Sequence, residues 1–328
     1  MTPETLFYEY IADWIRTYKE GAIRPVSVVK YWCAHGHVMR LAPDLTLKNI
    51  NKRAYQQLIN RYAETHTKST TTEFHNCIRA PLLEAVEEGL VIADPTKRIV
   101  LKGRPHEKNV KYLSLAEAEK LAAALELRPP IIVERDKLVK GQRYAYETNM
   151  DWLIFLCLNT GARLSEALAV TPADFDFAGR TLALTKTFDY KIDYGITNNM
   201  KSRSSKRHIA IDSHLADKFS RALIGASPDN SIFVPPGQRF HTSDSTRRIN
   251  QLCEKLDIPK VGIHGLRHTH ASILLYGGVS VHAISRRLGH AKVSITQDVY
   301  LHIIKELEAK DTDIITNVLE GMYFKIRH

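Results

Sequence analysis

The chain has 328 residues, with 46 Lys and Arg against 36 Asp and Glu and a formal charge of +10, a length that fits about two domains. Its 44% apolar and 25% charged content is ordinary for a globular protein and excludes a disordered or collagen-like chain. No apolar run approaches the ~20 residues that cross a bilayer, the start MTPETLFYEYIADW lacks the features of a signal peptide, and the cationic excess favours a polyanionic partner such as nucleic acid.

In chain order, Phe7, Tyr10, Ile11, Trp14, Ile15 and Tyr18 recur at helical steps and predict a first helix, with Pro3 in its first turn. A second helix is expected from about Ser27 to His35, stopping at Gly36, and a third from about Lys52 to Glu64. Thr70-Thr71-Thr72-Glu73 has capping-box spacing and opens a fourth, which Pro81 should kink or break and Gly89 should end. Lys102 to Asn109 is polar, carries Gly and Pro and has no periodicity, so it reads as a linker. Ser114-Leu115-Ala116-Glu117 is a second capping box and starts a new domain. The segment 128–148 reads as a loop excursion, followed by an apolar helix from Trp152 to Leu158.

Thr181 to Thr185 and His208 to Ile211 read as short strands around a long polar segment. Beyond 213 the pattern is helical again. Ile304, Leu307, Ile314, Ile315, Val318 and Leu319 predict a tail helix over about 303–324. The expected class is mainly α with a small antiparallel β-sheet, arranged as a helical unit over 1–101, a linker over 102–111 and a second domain over 112–328. Cys33, Cys77, Cys157 and Cys253 stand far apart with no C-x-x-C pair, which speaks for free thiols in a reducing compartment and against a zinc or dithiol motif.

Four local clusters carry the chemistry. In Thr160-Gly161-Ala162-Arg163-Leu164-Ser165-Glu166 an Arg follows a tight turn at a helix start, with Glu166 one turn on; an anion site and a plain surface ion pair are both open readings. Lys201-Ser202-Arg203-Ser204-Ser205-Lys206-Arg207 is either a solvated basic loop or one that lies in a DNA groove. In His264-Gly265-Leu266-Arg267-His268-Thr269-His270, positions 264, 267 and 268 share a helical face. His264 and His268 could hold a metal, but the intervening Glu of a metalloprotease helix is missing, and His270 reads as a packed histidine. Leu288-Gly289-His290 precedes Tyr300 by ten residues from the histidine. Together, arginines, histidines, a lysine and a tyrosine suit metal-free transfer at a phosphodiester. Arg forks onto two oxygens, Tyr can carry a covalent phosphoryl group, and Lys or His can protonate a leaving oxygen.

In order and spacing, TGARLSE, the Lys-rich turn before HIAI, HGLRHTHAS, LGH and the following Tyr resemble the tyrosine recombinase, or phage integrase, family. The segment TKTFDYK and the ending Tyr300-Leu301-His302 are most similar to integrases of Gram-positive phages and conjugative transposons. The resemblance covers about 112–328 and extends more loosely to the helical N-terminal part, similar to the family's DNA-clamping core-binding domain. It implies that Arg163 and Arg267 bind the scissile phosphate, that His264 is an acid/base or phosphate ligand, and that His290 bonds a phosphate oxygen. By the same resemblance Tyr300 attacks to leave a 3′-phosphotyrosyl link, and Glu166 supports the site. Lys201 is the expected proton donor to the 5′-oxygen, since the family's Lys sits five or six residues before the Arg opening the next strand, here Arg207; Lys186 and Lys206 are rivals. Arg203, Lys206, Arg207, Arg247 and Arg248 are further candidate DNA contacts.

The resemblance also implies no cofactor or metal, double-stranded recombination sites as partners, and a homo-tetramer that passes through a Holliday junction, with the tail helix packed on a neighbouring protomer. It leaves room for an accessory directionality factor and implies a DNA-associated protein of the bacterial cytoplasm. Many Gram-positive members carry an arm-binding domain of about 60 residues before the core-binding helices; with the first strong helix near residue 3, none is expected in this chain unless it is truncated. Three other functions stay open: a type IB topoisomerase-like enzyme, which shares the chemistry without pairing sites, a metal-dependent nickase, and a DNA-binding protein without catalysis.

Overall fold

The computed structural model describes residues 1–105, 112–125, 127, 143–191, 195–198, 200, 203–236 and 238–297, without the side chains of 143–149 and 203. The chain divides into two compact units, Met1–Lys108 and Asn109–His328.

The N-terminal unit is helical. Helix α1 (Phe7–Tyr18) buries Phe7, Tyr10, Ile11, Trp14 and Ile15 along one stripe. It starts later than the sequence suggests, because Leu6 pairs with Thr46 in a β-bridge and Pro3 accepts from the Lys48 N–H at 2.7 Å, outside the helix. Helix α2 (Pro25–Leu41) passes through Gly36, where a stop is expected. A glycine within a helix costs only about 1 kcal/mol relative to Ala, and continuing the helix buries Val38. Helix α3 (Lys52–Ala63) is capped by Asn51, whose side chain accepts from two backbone N–H groups. Helix α4 (Lys68–Glu87) is capped one turn before the expected box, by Thr67, and runs past Pro81, which is buried within it. The expected break at Pro81 therefore does not occur: packing of Phe74, Ile78, Leu82 and Ala85 outweighs the one lost backbone bond. Gly89 follows with φ +73°, the left-handed geometry of a helix end.

The C-terminal unit is mainly α with a small antiparallel sheet. Helix α5 (Leu115–Ala124) starts at the capping box of Ser114 and Glu117. Helix α6 (Arg143–Thr160) takes in six residues of the expected loop excursion as well as the apolar run from Trp152. Its buried side chains, with those of α8 (Ser213–Ala222) and α9 (Thr242–Lys255), form the main core. A five-residue helix, α7 (Leu164–Leu168), follows α6. Strands β1 (Phe175–Asp176), β2 (Thr181–Leu184) and β5 (Arg207–Ala210) form one antiparallel sheet, with Leu182 opposite Ile209 and Leu184 opposite Arg207. The polar segment between β2 and β5 is not simply a loop: β3 (Thr187–Asp189) and β4 (Gly195–Thr197) pair as a second ribbon, burying Phe188. Helix α10 (Ile263–Tyr276) packs on α6, and α11 (Val281–Leu288) packs on α10 through Ala271, Leu275, Ile284 and Leu288. Among the described residues no helix is long and apolar enough to cross a membrane.

Candidate active site

Two helix ends and one helix meet here: the turn after α6, the turn after α11 and the body of α10. Gly161 ends α6 with φ +66° and lies so close to α10 and α11 that a Cβ would come within 2.8 Å of both His270 Cδ2 and Leu288 Cδ2. Only glycine satisfies both the dihedral and the close approach. The turn delivers Arg163 to the N-cap of α7 and places Glu166 one turn later.

Glu166 is 2% exposed and joins two arginines. Its Oε1 accepts from Arg163 Nη1 at 2.6 Å, and its Oε2 accepts from the Arg163 backbone N–H and from Arg207 Nη2, each at 3.0 Å. Burial alone would raise its pKa, but the Arg207 and Arg163 guanidinium groups together hold it below the ordinary carboxylate value. Glu166 is thus a fixed anion that orients Arg163, whose Nη2 also donates to the Gly289 carbonyl at 3.3 Å.

Arg267, on α10, is 2% exposed. Its Nη1 donates to Gly161 O and its Nη2 to Leu288 O, both at 2.7 Å. These carbonyls lie at the C-terminal ends of α6 and α11, where helix dipoles favour a cation. His290 follows Gly289, whose φ of +69° reverses the chain out of α11. The ring Nδ1 of His290 lies 2.7 Å from Thr296 Oγ1. Burial, then the charges of Arg267, Arg163 and Arg207, push its pKa down to about 4, so the ring is neutral at pH 7. His264, in the first turn of α10, is exposed and stands edge-on to His268 with centroids 4.9 Å apart. Desolvation, Arg267 and Arg163 lower its pKa as well. Among the described residues no group of His, Cys, Asp or Glu could hold a metal ion.

The structure therefore brings Arg163, Glu166, Arg267, His264 and His290 to one place in this unit. Lys201 and Tyr300, and the tail helix over 303–324, lie outside the described residues, as does the side chain of Arg203. Of the rival lysines, Lys186 is held by Asp174 at 2.8 Å and Thr171 Oγ1 at 3.0 Å, while Lys206 is exposed. Two candidate DNA contacts are turned inward instead. Arg207 has a side chain only 7% exposed, bonded to Glu166, to Ser205 O and to Arg287 O. Arg248 forks onto the buried Asp151 at 2.6 and 2.7 Å. A basic run and a helical Arg-Arg pair look alike on a surface and in a pocket, so sequence cannot separate them. Arg247 is exposed, 3.5 Å from Asp244.

Sequence reasoning misses Arg287. Its Nε donates to His270 Nε2 at 2.9 Å, its Nη1 to Ala210 O at 2.8 Å and its Nη2 to Asn159 O at 3.3 Å. The one signal for it is position: it occupies the last turn of α11, two residues before Gly289.

A family model described as the phage integrase family matches residues 114–306. The integrase of Staphylococcus phage L54a is 26% identical over 290 residues, covering 80% of this chain and 82% of that protein. A tyrosine recombinase XerC-like protein of Caldanaerobacter subterraneus subsp. tengcongensis is 22% identical over 330 residues, covering 90% of this chain and 78% of the other. Among solved structures, the Tn1549 transposon integrase in complex with a circular intermediate DNA superposes with a TM-score of 0.71 at 16% identity, over 89% of this chain and 94% of that one, a likeness of fold.

Proposed function

Because this chain belongs to the phage integrase family, the tyrosine recombinases, we propose that it cuts and rejoins DNA with Tyr300 as nucleophile and Arg163 and Arg267 as the phosphate clamp. It is a site-specific DNA recombinase, and its relatives are recombinases and integrases of phages and transposons; none of these similarities favours a topoisomerase. The observation that carries the residue assignment is the pair of guanidinium groups fixed by the protein's own acceptors: Arg163 by Glu166 and Gly289 O, Arg267 by Gly161 O and Leu288 O. Pre-oriented cations meet a developing phosphorane charge without reorganising, which is where electrostatic catalysis gains most.

In this reading the Tyr300 oxygen attacks phosphorus and the bond to the 5′-oxygen breaks. The departing oxygen takes its proton from Lys201; Lys186 is the weaker candidate because Asp174 and Thr171 hold its ammonium. Neutral His264 can take the phenol proton, and neutral His290 can donate to a non-bridging oxygen once Thr296 fixes its ring. The products are a 3′-phosphotyrosyl enzyme and a free 5′-hydroxyl. Attack by a hydroxyl from a second site reverses the step and exchanges strands. Two such exchanges require four protomers, two sites and a Holliday junction, with the 303–324 segment docking in trans and the helices of 1–101 completing the DNA clamp. An accessory factor would set direction in the bacterial host.

The test is incubation with a nicked suicide site in EDTA. A covalent DNA–protein adduct is expected from the wild type and none from Tyr300→Phe; an adduct that survives the substitution removes Tyr300 as nucleophile. Relaxation of a plasmid that carries no paired sites would instead favour the topoisomerase reading.

A further inference from the structure

We propose that Arg287 is a positioning residue for the phosphate clamp, fixing with His270 the two helix ends whose carbonyls hold Arg267. The inference rests on the recombinase reading above.

Arg267 is held by Gly161 O and Leu288 O, so its direction depends on where the ends of α6 and α11 sit. Arg287 ties those ends together. It is the neighbour of Leu288 in α11, and its guanidinium reaches across to Asn159 O, near the end of α6, and to Ala210 O, at the end of β5. Its third nitrogen, Nε, donates to His270 Nε2. His270 in turn meets Leu158 O through Nδ1 at 2.9 Å.

A carbonyl can only accept, so His270 Nδ1 carries the proton and Nε2 keeps the lone pair that receives Arg287. His270 is therefore neutral, and the contact is a cation donating to an imidazole. Burial and the Arg287 charge keep that histidine from protonating, with a pKa of about 3. The histidine also sets the space for Gly161, since its ring lies where a Cβ at 161 would fall.

The carbonyl of Arg287 completes the arrangement by accepting from Arg207 Nε. Arg207 is also the partner of Glu166, which orients Arg163. Both arginines of the clamp thus trace back to Arg287, one through two backbone carbonyls and the other through Arg207 and Glu166. Three of the five guanidinium N–H groups of Arg287 donate to protein acceptors, one on each nitrogen.

The experiment uses the full chain at saturating concentration, a nicked suicide site in EDTA, and the single-turnover rate of adduct formation. It compares wild type, Arg287→Lys, Arg287→Met and the double variant Arg287→Met with His270→Phe. Each is measured on the ordinary scissile phosphate and on a methylphosphonate, which lacks the negative charge that Arg163 and Arg267 must meet. For Arg287→Met the rate on phosphate should fall about 100-fold, the scale of a small misplacement of catalytic groups, while gel-shift affinity stays within about twofold. On the methylphosphonate that deficit should shrink to less than about tenfold. Arg287→Lys should not rescue, because one ammonium cannot span three fixed acceptors. The double variant also removes the buried imidazole that Arg287→Met leaves without its donor, so it should melt above Arg287→Met yet stay slow on phosphate.

An equal deficit on both substrates, rescue by Lys, or recovery of the rate together with stability in the double variant would overturn the proposal. If the wild type forms no adduct, the recombinase reading of the site fails and this inference fails with it. If the wild type reacts and Arg287→Met matches it, only the inference fails.

Discussion

In the N-terminal unit two buried tyrosines pair through a neutral contact and at the periphery: Tyr55 Oη lies 2.8 Å from His75 Nδ1, and Tyr10 donates to Glu88 at 3.0 Å. The C-terminal unit instead sinks full charges. Glu166 and Arg267 are each 2% exposed, Asp151 is 1% exposed against Arg248, and the Arg207 side chain is almost covered. Buried ion pairs are a poor way to gain stability, because desolvation offsets most of the attraction. Glu166, Arg207 and Arg267 cluster around the turns after α6 and α11, where their ion pairs and carbonyl contacts fix orientation, as the proposed phosphate clamp requires.

The sharpest way to break this contrast is Glu166→Gln, which leaves Arg207 and Arg163 without their anion. Removing one partner of a buried pair costs about 3–5 kcal/mol, so the urea midpoint of the C-terminal unit should fall while that of the other unit holds. A change below about 1 kcal/mol, the range of an exposed pair, would mean the carboxylate is not a structural anion.

Acid is the second lever, and its sign follows from the histidines. His270 is held near 3 and His290 near 4, both below the ordinary 6.5. Between those values the unfolded chain takes up protons that the folded chain refuses, so stability is full above pH 6.5 and declines as pH falls. For buried His270 the loss from pH 6.5 to pH 5 is about 2 kcal/mol. Urea titrations at the two pH values should show it, and His270→Phe should flatten the decline. A pH-independent midpoint would contradict the neutral, buried state of this ring. The smallest effect is expected on the other side of the comparison. Tyr55→Phe removes one neutral hydrogen bond and should cost about 1 kcal/mol by the same measurement. A loss as large as that of Glu166→Gln would erase the distinction between the units.

How far the sequence can be read follows the same division. Helical periodicity, the Ser114 capping box and the alternation at 181–184 are local signals, and the helices and strands they mark are present. Gly36 and Pro81 mislead because tertiary burial overrides local cost. The β3–β4 ribbon is hidden because three-residue strands in a polar segment carry almost no period. At the site, the resemblance to the recombinase family singles out Arg163, Glu166, His264, Arg267 and His290, which lie together. It cannot tell an arginine that faces solvent from one that faces carbonyls, so Arg207 and Arg248 are misplaced and Arg287 is overlooked.

Gly289 does no chemistry, yet a Cβ there would lie 2.9 Å from Arg207 Nη1 and 3.0 Å from Ser204 O, on a backbone with φ +69°. Any side chain would press on the arginine behind Glu166 and strain the turn that presents His290. In a library randomised at every codon and selected for recombination, position 289 would then be as invariant as the nucleophile. A reader of that selection would find an essential residue with no functional group at all.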